Sequence, residues 1–359
     1  MNAIKYRKDL HKIPELGRCE FKTKEYLLNI LKNLNAEIFL PTPTAVVAYF
    51  NANKNKTICF RADMDALQIN EVNNVEYKSI HPGFMHACGH DGHMAMLLDY
   101  ATWASDNLDK LTSNVVCLFQ PSEEDKAGAL DIIQSNILDE LEVEEIYGIH
   151  IWPTLKENEL YTKYDALLAS SSELNIEFYG KSVHAANFNQ GIDALKIAAE
   201  FMLDFYNFCE KIKTKHLISF GKFESGKARN IISDYTRIEA TMRNFDDDTF
   251  ILMKEELFNL KNKYQNKFGI KINIELNDLY KSVINSNELV NKYKNSLKLN
   301  LLADSFMQAE DFGCYTRKYK SMFMLLGASN KVMLHTNNFD FNMEILETGV
   351  NAYKIISTI

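Results

Sequence analysis

The stretch "TICFRADMDAL" (residues 57–67) fills 57–62 mainly with β-branched, aromatic and small apolar residues, then turns acidic at Asp63 and Asp65. A short apolar run of this kind reads as a buried strand. Three similar runs, "AVVAYF" (45–50), "NVVCLFQ" (114–120) and "EIYGIHIW" (145–152), alternate with helical patterns over 92–107 and 126–137. Strands alternating with amphipathic helices predict an α/β fold with a mainly parallel sheet covered by helices.

Further along, the pattern changes near residue 168 and changes back near 279. Between those points come a strand in 171–180, a helix over 191–213, strands in 216–225 and 231–245, a helix over 246–268 and a strand in 270–276. That order, βαββαβ, is the ferredoxin-like unit. Residues 279–359 then supply a helix, a short strand (322–328) and a terminal helix that rejoin the first domain. The expected organisation is a domain of 1–167 with 279–359, interrupted by an inserted α+β domain of 168–278.

With 359 residues and 46% apolar composition, the chain suits two domains with sizeable cores. Forty Lys and Arg against 48 Asp and Glu give a net charge of −8 without a long basic block, which argues against nucleic acid or an anionic membrane as partner. The segment "MNAIKYRKDLHKIPELG" (1–17) lacks the apolar core of a signal peptide, and no apolar run elsewhere reaches membrane-spanning length. The expectation is a soluble, cytoplasmic protein.

Ligands of open α/β sheets gather beyond the carboxyl ends of strands. At those positions stand Asp63 and Asp65, then Glu123 and Glu124 after "NVVCLFQP", and His150 closing "EIYGIH". "MHACGHDGHMA" (85–95) adds His86, Cys88, His90, Asp91 and His93 just before a helical pattern. Cys88 and His90 point the same way on an extended segment but about 200° apart on a helix. They can share a metal only if the stretch is still a loop, which Gly89 suits. Cys, His and carboxylate together favour zinc or another borderline transition ion. A structural zinc site needs a second pair of ligands at close spacing, and the six cysteines stand singly. The alternative is that the histidines cap and pack the following helix. Two adjacent carboxylates cannot both bind one ion from the same face, so one can ligate while the other handles a proton.

In order and spacing, "RKDLHKIPELGRCEFKT", "RADMDAL", "MHACGHDGHMAMLL", "LFQPSEE", "IYGIHIWP", "GKSVHAA", "RNIIS", "AEDFGCY" and "LLGASNKVMLHT" resemble the M20 metallopeptidase family, amidohydrolase subgroup. The resemblance implies a zinc-exopeptidase-like catalytic domain and an inserted lid or dimerisation domain. It implies two divalent ions (zinc, cobalt, manganese or nickel) held by Cys88, His90, Glu124, His150 and His335, with Glu123 as general base. Asp65 and His184 join Glu123 as catalytic candidates; His184, reaching in from the inserted domain, is also a substrate-binding candidate, and Asn230 and Arg243 are the implied binders of the substrate carboxylate. Without the resemblance, His335, His184 and Arg243 read as ordinary surface or ion-paired residues. His86, Asp63, Asp91 and His93 read as supporting residues, with Asp63 or Asp91 accepting the second N–H of a ligating imidazole.

The implied reaction removes the acetyl group of N-acetyl-L,L-diaminopimelate for lysine and cell-wall synthesis. A broader N-acyl-amino acid or hippurate amidohydrolase and a catalytically silent metal-binding homologue are the alternatives. The expected partner is a small N-acyl amino acid, and the chain is expected as a homodimer or monomer. Ser182, Val183 and Phe188 depart from the family pattern around His184, and "EEDKAGA" replaces a glycine-rich stretch. These departures bear on substrate identity rather than on hydrolysis.

Overall fold

The computed structural model describes residues 2–359. The chain separates into two compact units, one of Met1–Leu167, Val283–Ser305 and Asp311–Ile359, the other of Leu168–Ser282 and Phe306–Glu310. In chain order the elements run α1 (Ala3–His11), α2 (Phe21–Leu31), β1 (Glu37–Phe39), β2 (Val46–Phe50), β3 (Thr57–Asp63), α3 (His90–Asp106), β4 (Asn114–Gln120), α4 (Glu123–Lys126), α5 (Gly128–Gln134), α6 (Ile137–Glu140), β5 (Val143–Trp152), β6 (Leu160–Thr162) and β7 (Asp165–Leu168). There follow β8 (Ser171–Tyr179), α7 (Ala194–Cys209), β9 (His216–Ser225), β10 (Tyr235–Asn244), α8 (Asp247–Phe268) and β11 (Lys271–Tyr280). Last come β12 (Val283–Asn285), α9 (Asn287–Tyr293), β13 (Asn300–Leu301), β14 (Lys320–Gly327) and α10 (Leu346–Thr358).

The first unit is built on an eight-stranded sheet ordered β1-β2-β4-β3-β5-β14-β6-β13. Its centre is parallel, β4 with β3, β3 with β5 and β5 with β14, as the alternating pattern predicts, while β1 with β2, β2 with β4 and β6 with β14 are antiparallel and β13 is parallel to β6. Every residue of β3 and β4 is buried, the signature of strands covered on both faces. Phe60 on β3 meets Tyr100 of α3 at 5.0 Å and Tyr353 of α10 at 4.7 Å, so these two helices close one face. Helix α3 is buried along most of its length, which explains why it carries Met, Leu and Ala on nearly every side.

The second unit has a four-stranded antiparallel sheet ordered β11-β8-β10-β9. With α7 and α8 this is the ferredoxin-like arrangement. Strand β8 alternates buried and exposed positions, so one face packs on helices and the other is open. Leu174, Ile176 and Phe178 from that face join Phe201 and Phe205 of α7 and Leu257 and Tyr264 of α8 in one core. Asp193 caps α7 and Asp246 caps α8 through their carboxylates, and Gly269 ends α8 in the left-handed conformation, φ 64°.

The helix expected over 126–137 is broken into α4, α5 and α6, because Ala127 (φ 48°) and Asn136 (φ 60°) are left-handed. Among the described residues, no helix is long and apolar enough to cross a membrane.

Candidate active site

The acids at the ends of β3 and β4 and the loop before α3 converge in the first unit. Gly89 takes φ 89° and α3 starts at His90, so Cys88 and His90 lie on opposite sides of a loop-to-helix break. Their ligand atoms lie within 4.8 Å of each other and of His150, and Cys88 is likewise grouped with Glu124 and His335. The two clusters share the Cys88 thiol. Its Sγ is 3.5 Å from His150 Nε2 and 3.3 Å from His335 Nε2. His335 Nε2 is 3.2 Å and His90 Nε2 3.8 Å from Glu124 Oε1.

Hydrogen bonds fix which ring nitrogens are available. His90 Nδ1 is 2.9 Å from the Asp65 carbonyl oxygen, and His150 Nδ1 is 2.7 Å from that of Ile151. A carbonyl can only accept, so each Nδ1 carries a proton and each Nε2 is the ring atom turned to the cluster, the one that can bind a cation in the neutral ring. Among the described residues, His90 Nε2 and Glu124 Oε1 are buried without a hydrogen bond of good geometry. His93 is otherwise engaged: its Nδ1–H donates to Asp63 at 2.6 Å and its Nε2 accepts from the Ile151 N–H at 2.9 Å. Asp63 and Asp91 therefore do not take the imidazole protons of the candidate ligands; backbone carbonyls do. Asp91 instead accepts from Arg7 at 3.0 Å and pairs with His11 at 2.7 Å.

The electrostatics describe a surplus of negative charge. Burial pushes the Cys88 thiol well above its ordinary value, and Glu124, Glu123 and Asp63 push the same way. Burial opposes the charged form of His90, yet Asp63, Asp65 and Glu124 outweigh it and raise the imidazole to about 10. Burial and His93 hold His150 well below its usual range, consistent with a neutral imidazole donor. Unpartnered Nε2 and carboxylate atoms, a thiol and excess acid are a donor set suited to transition-metal cations.

Asp65 organises the Glu pair. Its two carboxylate oxygens accept the N–H groups of Glu123 at 3.0 Å and Glu124 at 2.9 Å. The turn is tight: Ser122 (φ 61°) and Ala127 (φ 48°) flank the short helix α4 in left-handed conformations. Glu123 is buried with 6% exposure, and its Oε1 accepts the Asp311 N–H at 3.2 Å.

With this geometry in view, known proteins give the chain its kin. The pattern of Peptidase family M20/M25/M40 matches residues 59–357. The chain belongs to that family. It is a hydrolase of the M20 type, similar to the N-acetyldiaminopimelate deacetylase of Lactobacillus helveticus, 33% identical over 368 residues, covering 98% of this chain and 95% of the relative. A hydrolase of Staphylococcus epidermidis is 31% identical over 374 residues, covering 99% and 98%. Among solved structures, a dinuclear metal-binding M20 peptidase of Bacillus subtilis superposes with TM-score 0.87 at 26% identity, covering 99% of this chain and 97% of its own. A protein of methicillin-resistant Staphylococcus aureus superposes with TM-score 0.93 at 25% identity, covering 99% and 95%.

For this M20 chain, the first unit gathers Cys88, His90, Glu123, Glu124, His150, His335 and Asp65. His184, Asn230 and Arg243 belong to the second unit. There His184 bridges Ile231 in an antiparallel pair, its Nδ1 accepts the Ala186 N–H at 3.2 Å, and the Asn230 carbonyl accepts the Ala185 N–H at 2.9 Å. Arg243 donates to the Met307 carbonyl at 2.8 Å. Sequence reading missed Arg7, His11, Glu20, Arg61 and Gln120, all buried, and assigned nothing to Asp311. The available signal was a charge inside a strand otherwise apolar: Arg61 stands mid-β3.

Proposed function

We propose that this protein is a metal-dependent amidohydrolase that removes the acetyl group of N-acetyl-L,L-diaminopimelate. The observation that carries the reading is the division of labour in one adjacent pair: Glu124 is grouped with Cys88 and His335 as well as with His90, while Glu123, which shares the His90 group, has its Oε1 held by the Asp311 N–H. The deacetylase relative, similar across nearly the whole chain, supports the substrate.

Cys88, His90, Glu124, His150 and His335 are the side chains that would hold two divalent ions, for which the dinuclear relative gives support. When bound, such ions supply Lewis acidity, lowering the pKa of water and polarising an amide carbonyl. Glu123 accepts the proton of the attacking water and returns it to the leaving nitrogen, which cannot depart as an anion. Asp65 keeps both glutamates in register through their backbone N–H groups. His184, Asn230 and Arg243 hold the substrate, the Arg fork suiting a carboxylate. Residues 168–278 serve as lid or dimerisation domain to the catalytic 1–167 and 279–359, and the protein works in the cytoplasm.

Hydrolysis of N-acetyl-L,L-diaminopimelate and N-acetylmethionine, read as acetate release, and of hippurate, read as benzoate release, with and without Co²⁺, Mn²⁺ or Zn²⁺, tests the proposal. Metal-dependent release with strong preference for the first substrate is expected. Comparable rates on all three point to the broader amidohydrolase, a reading that the departures at Ser182, Val183 and Phe188 keep in view. No release with any metal overturns the enzymatic reading.

A further inference from the structure

We propose that Asp311 is the positioning residue of Glu123, holding the base in its working orientation from the side opposite Asp65. The inference rests on the reading of Glu123 as the base. The turn that carries Glu123 has little rigidity of its own: α4 has four residues and left-handed positions at both ends. Its geometry must therefore be imposed by partners.

Asp65 grips the start of the turn by its backbone. Asp311 grips the carboxylate itself and the far end. Its N–H donates to Glu123 Oε1 at 3.2 Å, while its own Oδ2 accepts the Ala129 N–H at 2.9 Å, just past the turn. A backbone donor aimed at one carboxylate oxygen favours one rotamer.

Asp311 is in turn held from behind. Arg61 Nη2 donates to Oδ1 at 2.6 Å, and Gln120 Nε2 donates to Oδ2 at 2.8 Å. Arg61 also donates to Asp63 at 2.7 Å and to Gln120 Oε1 at 2.9 Å, and Asp63 accepts from His93, whose Nε2 receives the Ile151 N–H. A continuous series of buried partners thus runs from Glu123 to the backbone beside His150. An Asp311 placed only to neutralise Arg61 would need neither the bond to Ala129 nor the amide on Glu123. Arg61 keeps Asp63 and Gln120 when the Asp311 carboxylate is replaced, so the substitution does not strand a buried cation.

The test is a double-mutant cycle of Asp311→Asn with Glu123→Gln, measured as acetate release by metal-loaded full-length enzyme, with metal content determined for each variant. Alone, Asp311→Asn should lower kcat roughly 10–100-fold through misplacement of the base. KM should change by less than about twofold and metal content should be unchanged, because only the proton-handling step is disturbed. In the Glu123→Gln background the same change should cost less than about twofold, since the group it positions is already gone. An equal factor in both backgrounds, or loss of metal in Asp311→Asn, overturns the inference while leaving the base in place. Wild-type turnover in Glu123→Gln removes the base and the inference together. Should Asp311→Asn fail to fold, Asp311→Glu, which keeps the charge opposite Arg61 but moves the backbone grip, goes through the same cycle with the same expected pattern.

Discussion

Cys88 belongs both to the group with His90 and His150 and to the group with Glu124 and His335, so its loss should be felt at both. Cys88→Ser replaces an anionic sulfur donor by a hydroxyl that does not ionise near neutrality. Metal affinity, measured by competition with a chelator, should fall by more than the roughly 10–100-fold that loss of an outer-shell partner costs. Unchanged affinity would remove Cys88 from the site. Glu123→Gln should behave oppositely, retaining its metal while turnover drops about 10²–10⁴-fold, the usual scale of general acid–base catalysis. At this scale the sequence was legible where chemistry leaves a local trace: acids straight after a strand, or a thiol and an imidazole around one glycine. It was not legible for His335, which stands in "VMLHTNN" with no such trace and is brought to Cys88 by tertiary structure, nor for Asp311, whose part lies largely in its backbone N–H.

The turn between β4 and α5 is the element on which the account leans most. Gly128 allows Pro121 to approach: a Cβ there would meet the Pro121 carbonyl oxygen at 1.9 Å. Gly128→Ala must therefore displace the turn, with overpacking costs of about 1–3 kcal/mol and a fall in turnover larger than stability alone explains. Thermal denaturation beside kcat checks this, and unaltered values of both would contradict it. In the second unit, Asp246 accepts the Thr249 N–H at 2.7 Å. Asp246→Ala should cost about 0.5–2 kcal/mol, measured by urea denaturation. The long elements were readable because α7, α8 and β8 keep their periods over several turns or pairs. Strands of two or three residues such as β1, β6 and β13 offer no period to read. The breaks at Ala127 and Asn136 were hidden because neither residue is a glycine, the usual mark of a left-handed backbone.

At the scale of the whole molecule, stability and the site share buried charge. Burial opposes protonation of His11, yet its hydrogen bonds to Asp91 and Glu71 outweigh burial and raise it to about 9. A group whose pKa is raised on folding stabilises fully below its unfolded value, about 6.5, and loses that contribution as pH rises through the folded value. Melting temperature should therefore decline from near pH 7 to above pH 9, and His11→Gln should flatten that decline. An equally steep decline in the variant would rule His11 out as its source. The overall architecture was legible because strand–helix alternation and the βαββαβ order are global patterns that single residues do not disturb. Composition and spacing alone could not supply the convergence of residues 88, 90, 124, 150 and 335, which only the family resemblance implied. That convergence is the central claim, and anomalous scattering from crystals of the cobalt-loaded protein tests it most directly. Two peaks are predicted, roughly 3.5–4 Å apart as in two-metal sites, bonded by Cys88, His90, Glu124, His150 and His335 with Glu123 outside bonding distance. No peak among these side chains, or a cobalt ion held by Glu123, would contradict the account.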